Sequence, residues 1–277
     1  MKIALNDATT LENATLEQEL DLCEKNGYDF IEIRTMDKLP EYLQNHSLQD
    51  LNQYFEHHHL KPLALNALVY FNNRSETDRA GIIKEFRHMM DISDAIHCPY
   101  VVAVPLVTQE KFFTKDIKAS CVSVLRELSD IAAPHHVKIP VEFLGHPQAT
   151  VNRFEQAYEI VQTVNRDNVG LTLDSFHFHG MGSSLSALEK ADGDKIFLYH
   201  INDTDDIPIG FLRDEDRLWP GDGCIDLRGI LKALKKIGYT GAATLELFRP
   251  EYYKLPAEEV VKKGKEKTLK VVNQYFN

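Results

Sequence analysis

The chain alternates between two textures. Short runs of Val, Ile and Leu give way to longer stretches in which apolar residues recur three and four positions apart. The runs Lys2–Asn6, Phe30–Arg34, Leu63–Leu68, Tyr100–Val104, Val137–Phe143, Val169–Asp174, Ile196–Ile201 and Ala243–Leu247 read as strands. They are close to continuously apolar, as strands of a parallel sheet buried on both faces are. The helical spacing covers Leu16–Asn26, Leu48–His57, Arg79–Ile96, Lys115–Ala132, Val151–Val164, Leu227–Ile237 and Ala257–Tyr275, and more weakly Ser184–Lys190. Gly27 suits a helix C-cap and Ser47 an N-cap.

Strand-then-helix units repeated in series predict an α/β fold, a single closed (β/α)8 TIM barrel over residues 1–277. An open doubly wound sheet is the competitor. Against it, the first strand runs into Asn6-Asp7-Ala8 rather than a glycine-rich phosphate turn. Pro140 disturbs the pattern. It lies inside the fifth strand and cannot donate to a ladder, so a β-bulge just before Glu142 is expected.

Composition narrows the function classes. The length of 277 residues suits one barrel domain, and 43% hydrophobic with 26% charged residues is ordinary for a globular chain. A formal charge of −11 disfavours a nucleic-acid partner, which calls for clustered Lys and Arg. Cys23, Cys98, Cys121 and Cys224 show no CxxC spacing, so a thiolate zinc site is not expected and reduced thiols are. The N-terminus MKIALNDATT carries no leader-type pattern, and no apolar run has membrane-spanning length. The expectation is a cytoplasmic protein acting on a small molecule, with no membrane partner and with homo-oligomer formation left open.

In a TIM barrel the active site sits at the C-terminal ends of the strands. Four ionisable residues end or nearly end consecutive strands there: Glu142 (KIPVEF), Asp174 (VGLTLD), His200 (KIFLYH) and Glu246 (AATLEL). Three carboxylates and an imidazole form a hard anionic set suited to one divalent ion such as Mn²⁺, Mg²⁺, Co²⁺ or Zn²⁺. Buried like charges repel, and a dication neutralises them. Any one strand-end acid would more often cap a helix or form an ion pair; four on neighbouring strands point to a shared ligand.

Further residues follow from position. His177, three beyond Asp174, is expected to contact substrate, with a second metal or an inert loop histidine as the other readings. The long segment from Asn202 to Asp226 contributes Arg217 as a binder of substrate oxygen. Trp219 either walls the pocket or packs under that loop, and the acidic run around them is expected to be a solvated face. Glu32 and Arg34 lie two apart on one strand face and are expected to pair with each other, with Glu32 reaching the pocket floor. Asn66 lies near the end of the third strand and is a candidate substrate contact. His57-His58-His59 lacks i,i+4 spacing and reads as surface, and His179 reads as structural or exposed. Arg249, Tyr252 and Tyr253 follow Glu246, placed to close the pocket or meet another subunit.

The set Glu142, Asp174-x-x-His177, His200 and Glu246 resembles the xylose isomerase-like superfamily, which includes sugar epimerases, hydroxypyruvate isomerase and endonuclease IV. The segments EIRTMDKLPEYL, PLALNALV, YVVAVPLVT, TVNRDNVGL, LDSFHFH, DEDRLWPG and ELFRPEYYKL resemble the inosose isomerases of bacterial myo-inositol catabolism over nearly the whole chain. The resemblance implies interconversion of 2-keto-myo-inositol and 1-keto-D-chiro-inositol, one divalent metal held by Glu142, Asp174, His200 and Glu246, and Glu142 with Glu246 as the acid/base pair. Proton transfer through an enediolate is the implied chemistry. Two departures bear on substrate contacts. Gln148 stands where related ketose epimerases carry a substrate-binding Glu, and the nearest arginines after His200 are Arg213 and Arg217. Epimerisation or isomerisation of another keto-sugar is the nearest alternative. A barrel that binds without turnover is another. A phosphodiesterase like endonuclease IV would need more His ligands than the strand ends near Asn6, Arg34, Asn66 and Val104 supply.

Overall fold

The computed structural model describes residues 1–276. Eight parallel strands close into one barrel: β1 (Ile3–Asn6), β2 (Phe30–Arg34), β3 (Lys61–Val69), β4 (Tyr100–Val104), β5 (Ile139–Glu142), β6 (Val169–Asp174), β7 (Ile196–Ile201) and β8 (Ala243–Leu245). Each pairs with its neighbours in sequence, and β8 pairs with β1. Around them run α1 (Leu16–Lys25), α2 (Lys38–Tyr42), α3 (Leu48–His57), α4 (Glu76–Ile96), α5 (Thr114–Ala132), α6 (Phe154–Val164), α7 (Ser175–Gly180), α8 (Leu185–Leu188), α9 (Leu227–Lys236), α10 (Pro250–Tyr253) and α11 (Ala257–Val272). Every predicted strand and long helix is present.

The differences have local causes. The predicted helix from Val151 begins at Phe154, and the one predicted to Tyr275 ends at Val272. Residues 151–153 instead form the turn in which Gln156 Oε1 accepts the Asn152 N–H. The short helices α2, α7 and α10 carry too few turns for a periodic signal. The expected bulge at Pro140 is absent: β5 pairs with β6 in unbroken register, Pro140 opposite Gly170. Ile139 N–H donates toward β6, to Asn168. Alternation therefore turns the Pro140 nitrogen toward β4, where the two strands share the pair Ala103↔Val141 beside the isolated bridge Tyr100↔Lys138. The missing donor falls on a seam that carries few bonds.

Two apolar layers result. The larger lies between strands and helices and includes Leu5, Ile33, Phe86, Leu125, Phe143, Leu173 and Leu245. The smaller includes Ala4, Ala64, Val102, Leu198 and Ala242. Side chains alternate along a strand. Two residues beyond Ala4 comes Asn6, two beyond Leu198 comes His200, and two and four beyond Ala242 come Thr244 and Glu246. The barrel interior thus changes from apolar to polar as these strands approach their C-terminal ends.

Candidate metal centre and active site

At that end Glu142, Asp174, His200 and Glu246 converge. They offer ligand atoms that all lie within 4.8 Å of one another, and all four residues are buried. The register accounts for this: Asp174 is paired with His200, and His200 with Thr244, one turn of the pleat below Glu246. His200 is central. Its Nδ1 lies 3.0 Å from Glu142 Oε1, 3.1 Å from Glu246 Oε2 and 3.9 Å from Asp174 Oδ2. Its Nε2 faces the other way, 3.1 Å from Glu32 Oε2.

Each ligand is held differently. Asp174 Oδ1 accepts the His177 N–H and so caps α7, while Oδ2 accepts from Asn202 Nδ2 at 2.9 Å and from Arg217 Nη1 at 2.8 Å. Glu246 Oε1 accepts from Asn6 Nδ2 at 2.9 Å, and Oε2 accepts from Arg217 Nη1 at 3.0 Å. Glu142 Oε1, though near His200, has no aligned donor. The electrostatics follow. Burial pushes the Glu142 carboxyl up; His200 opposes this and Glu246 adds to it, and burial prevails. Burial alone would raise Glu246 as well, but His200 and Arg217 hold it below the ordinary range. Asp174 also resists burial, held well down by Arg217, His177 and His200. Burial disfavours a charged His200, yet Glu32, Glu246 and Glu142 drive its pKa well above the usual value.

The donor set fits a divalent cation. Four acids surround one imidazole at 3.0–3.9 Å, and Arg217 supplies the other nearby positive charge. Four carboxylates outnumber the positive groups around them, out of water, and a dication balances the excess. Three carboxylate oxygens and one imidazole nitrogen suit zinc or manganese as readily as magnesium or cobalt.

The other residues singled out by sequence fall in distinct places. Arg217 is buried against Asp174 and Glu246, with its second nitrogen 3.2 Å from His177 Nε2 and 2.9 Å from Asp214. Its guanidinium lies 4.8 Å from the Phe176 ring and 5.2 Å from Phe248. His177 sits on α7, not in a loop, and its Nδ1 is buried without a partner. Asn66 Nδ2 is likewise buried and unpartnered. Trp219 stacks on Tyr252 at 3.5 Å beneath Lys263.

The expected Glu32–Arg34 pair does not form. Arg34 lies at the rim, where the following turn brings Asp37 to 2.8 Å, while Glu32 stays below among His200, Thr244 and Asn6. Nor is the acidic run simply a solvated face. Asp203 is buried and accepts the backbone N–H groups of Thr204, Gly221 and Ile225, and Asp205 pairs with Arg249. A ribbon of Asp203–Thr204 against Arg217–Leu218 folds the loop back and delivers Arg217 to the site. The Tyr253 hydroxyl donates to Ala8 O, so the segment after β8 is tied to the loop after β1. His57 and His59 are exposed, away from any ligand set. Asn202 and Thr244 were not anticipated as site residues; Asn202 follows His200 by two, the only hint the sequence offers.

Residues 20–270 match the family model described as xylose isomerase-like TIM barrel. The chain belongs to the xylose isomerase-like TIM-barrel family. Within it, the inosose isomerase of Bacillus subtilis is 64% identical over 277 residues, covering all of both chains. That of Halalkalibacterium halodurans is 60% identical over 276 residues, covering 100% of this chain and 98% of its own. Among solved structures, the crystal structure of IOLI protein with a binding zinc atom superposes with a TM-score of 0.99 at 64% identity, covering 100% of both chains. With several full-length isomerases at this identity, the chain is an isomerase of this family.

Proposed function

We propose that the chain interconverts 2-keto-myo-inositol and 1-keto-D-chiro-inositol, with Glu142 and Glu246 as the proton-transfer pair. The observation that carries this reading is the contrast between two glutamates facing one imidazole nitrogen. Glu246 is fixed as a carboxylate by Asn6 and Arg217, whereas Glu142 keeps an oxygen with no aligned donor. Environments that push two acids apart assign one as base and the other as acid. The inosose isomerases matched over the whole chain support the substrate, and the zinc of the IOLI protein supports zinc as the ion.

When bound among Glu142, Asp174, His200 and Glu246, a divalent ion supplies Lewis acidity that acidifies the carbinol C–H and steadies charge on the ketone oxygen. Glu246 takes the proton from the carbinol carbon, and the electron pair moves toward the carbonyl oxygen to give an enediolate. Glu142 delivers a proton to the former carbonyl carbon while the carbinol hydroxyl proton passes to the former ketone oxygen, so that the carbinol oxygen becomes the new ketone; the proton held by Glu246 then returns to Glu142 through solvent and resets the pair. His177 Nδ1 and Asn66 Nδ2, buried and unpartnered, are placed to bond ring hydroxyls, with Arg217 as a further donor. Trp219 backs the loop that carries Arg217 by stacking on Tyr252. Such a reaction suits a small neutral substrate rather than nucleic acid, in keeping with the charge of −11. No described helix is long and apolar enough to cross a membrane, and Cys23, Cys98 and Cys121 are buried free thiols, which supports a cytoplasmic setting.

Exchange of substrate C–H with solvent deuterium, followed by NMR on 2-keto-myo-inositol, tests this. Glu246→Gln should slow exchange by roughly 10²-fold or more, the scale of positioned acid–base help. Exchange at the wild-type rate would remove Glu246 from the reaction.

A further inference from the structure

Glu32 was expected at the pocket floor as a substrate contact, but its surroundings give it another task. It is fully buried in the middle of β2, on the side of His200 opposite Glu142, Asp174 and Glu246. Three neighbouring strands supply its partners. Thr244 Oγ1 of β8 donates to Oε1 at 2.7 Å, and Asn6 Nδ2 of β1 approaches Oε2 at 3.4 Å. His200 Nε2 of β7 lies 3.2 Å from Oε1 and 3.1 Å from Oε2, a nearly symmetric fork. A carboxylate that receives a hydroxyl and an amide N–H is an acceptor at both oxygens, so the imidazole nitrogen facing it must carry the hydrogen.

We propose that Glu32 is a positioning residue that fixes His200 with its hydrogen on Nε2 and its Nδ1 lone pair turned toward the carboxylates that share the ligand point. The neutral imidazole that a metal requires has one N–H and one lone pair, and the second ring nitrogen's hydrogen bond decides which is which. Here Glu32 supplies that bond from the back. Asn6 extends the arrangement: the same amide that reaches Glu32 also donates to Glu246 Oε1 at 2.9 Å. One side chain thus orients a carboxylate ligand and braces the carboxylate behind the imidazole ligand. Thr244 is paired directly with His200 in the sheet, so its hydroxyl holds Glu32 from the strand next to the ring.

The role concerns the ligand set and not the substrate, so its test needs no turnover. Nitrogen-15 NMR of the zinc-loaded protein, with His200 assigned by its loss in His200→Asn, should show a protonated Nε2 and a metal-bound Nδ1. In chelator competition without substrate, Glu32→Gln should weaken zinc binding about 10–100-fold, because it keeps the shape and an acceptor oxygen but loses the charge. Glu32→Asp should recover part of that loss. A protonated Nδ1 with zinc on Nε2, or zinc affinity in Glu32→Gln equal to wild type, would overturn the proposal. The wild-type spectrum decides the tautomer even if Glu32→Gln folds poorly. Failure of the inosose reading would look different: normal zinc affinity and the stated tautomer, with no conversion of keto-inositols.

Discussion

Replacing Arg217 with Met separates what the guanidinium does for the fold from what it does to a bound cation. Nη1 lies 2.8 Å from Asp174 Oδ2 and 3.0 Å from Glu246 Oε2, the same oxygens that face His200 Nδ1. Without metal, Arg217→Met leaves two buried carboxylates short of a partner, and breaking a buried pair costs about 3–5 kcal/mol. Met keeps the contacts with Phe176 and Phe248 but loses the cation–π attraction, about 1 kcal/mol. For a chain of this size, about 2–4 °C accompanies each kcal/mol, so the metal-free melting temperature should fall by roughly 10 °C or more. With zinc bound, the dication neutralises the same oxygens and the electrostatic part of the loss shrinks. Folding and binding form a closed cycle, so the difference must appear as tighter metal binding in the variant. A difference of about 2 kcal/mol corresponds to a gain of more than tenfold, at 1.4 kcal/mol per decade. Calorimetric melting of chelated and zinc-loaded protein gives the two stabilities, and chelator competition gives the affinity. Equal losses in the two states, or weaker zinc binding in Arg217→Met, would refute the view that arginine and metal share these carboxylates.

Two further outcomes follow from the packing and charge around the site. Gly145 faces the backbone of α7, and a Cβ there would stand 2.3 Å from His177 O and 2.7 Å from its Cα. Gly145→Ala must therefore displace His177 and should lower kcat/KM on the order of 10²-fold, the cost of about 1 Å of misplacement; undiminished turnover would remove His177 placement from the mechanism. Asp7 is buried, with Oδ1 unpartnered and Oδ2 accepting the Arg34 N–H, and burial pushes its carboxyl up to about 8 although Arg34 and Lys38 oppose this. A carboxyl raised from 3.8 to about 8 favours the fold most below the lower value and progressively less as pH rises through the window. Asp7→Asn should therefore match or exceed wild-type stability at high pH, with the gap between their melting temperatures widening from pH 4 to about 8 and then levelling; a gap independent of pH would count against a buried Asp7 charge.

The strand positions and the four converging residues of the candidate metal site were legible in the sequence because both are local signals. A strand buried on two faces reads as a short apolar run, and in a parallel barrel every strand points the same way. A polar residue closing such a run therefore lies at the barrel mouth, and neighbouring runs place their end residues side by side. Sequence alone thus determined the barrel, the order of its strands and the set Glu142, Asp174, His200 and Glu246. What surrounds those ligands depends on pairs far apart in the chain, for which periodicity carries no signal. Glu32 turns to His200 rather than Arg34 because closure of the barrel brings β2 across from β7 and the turn after β2 gives Arg34 its own acid, Asp37. Arg217 reaches Asp174 and Glu246 only because a two-stranded ribbon folds the loop back over the mouth. Pro140 needed no bulge because its nitrogen faces the sparsely bonded β4 seam, a direction set by register and not by residue type. The four residues could be read from the ends of single strands; their bracing and charge balance exist only once the barrel has closed.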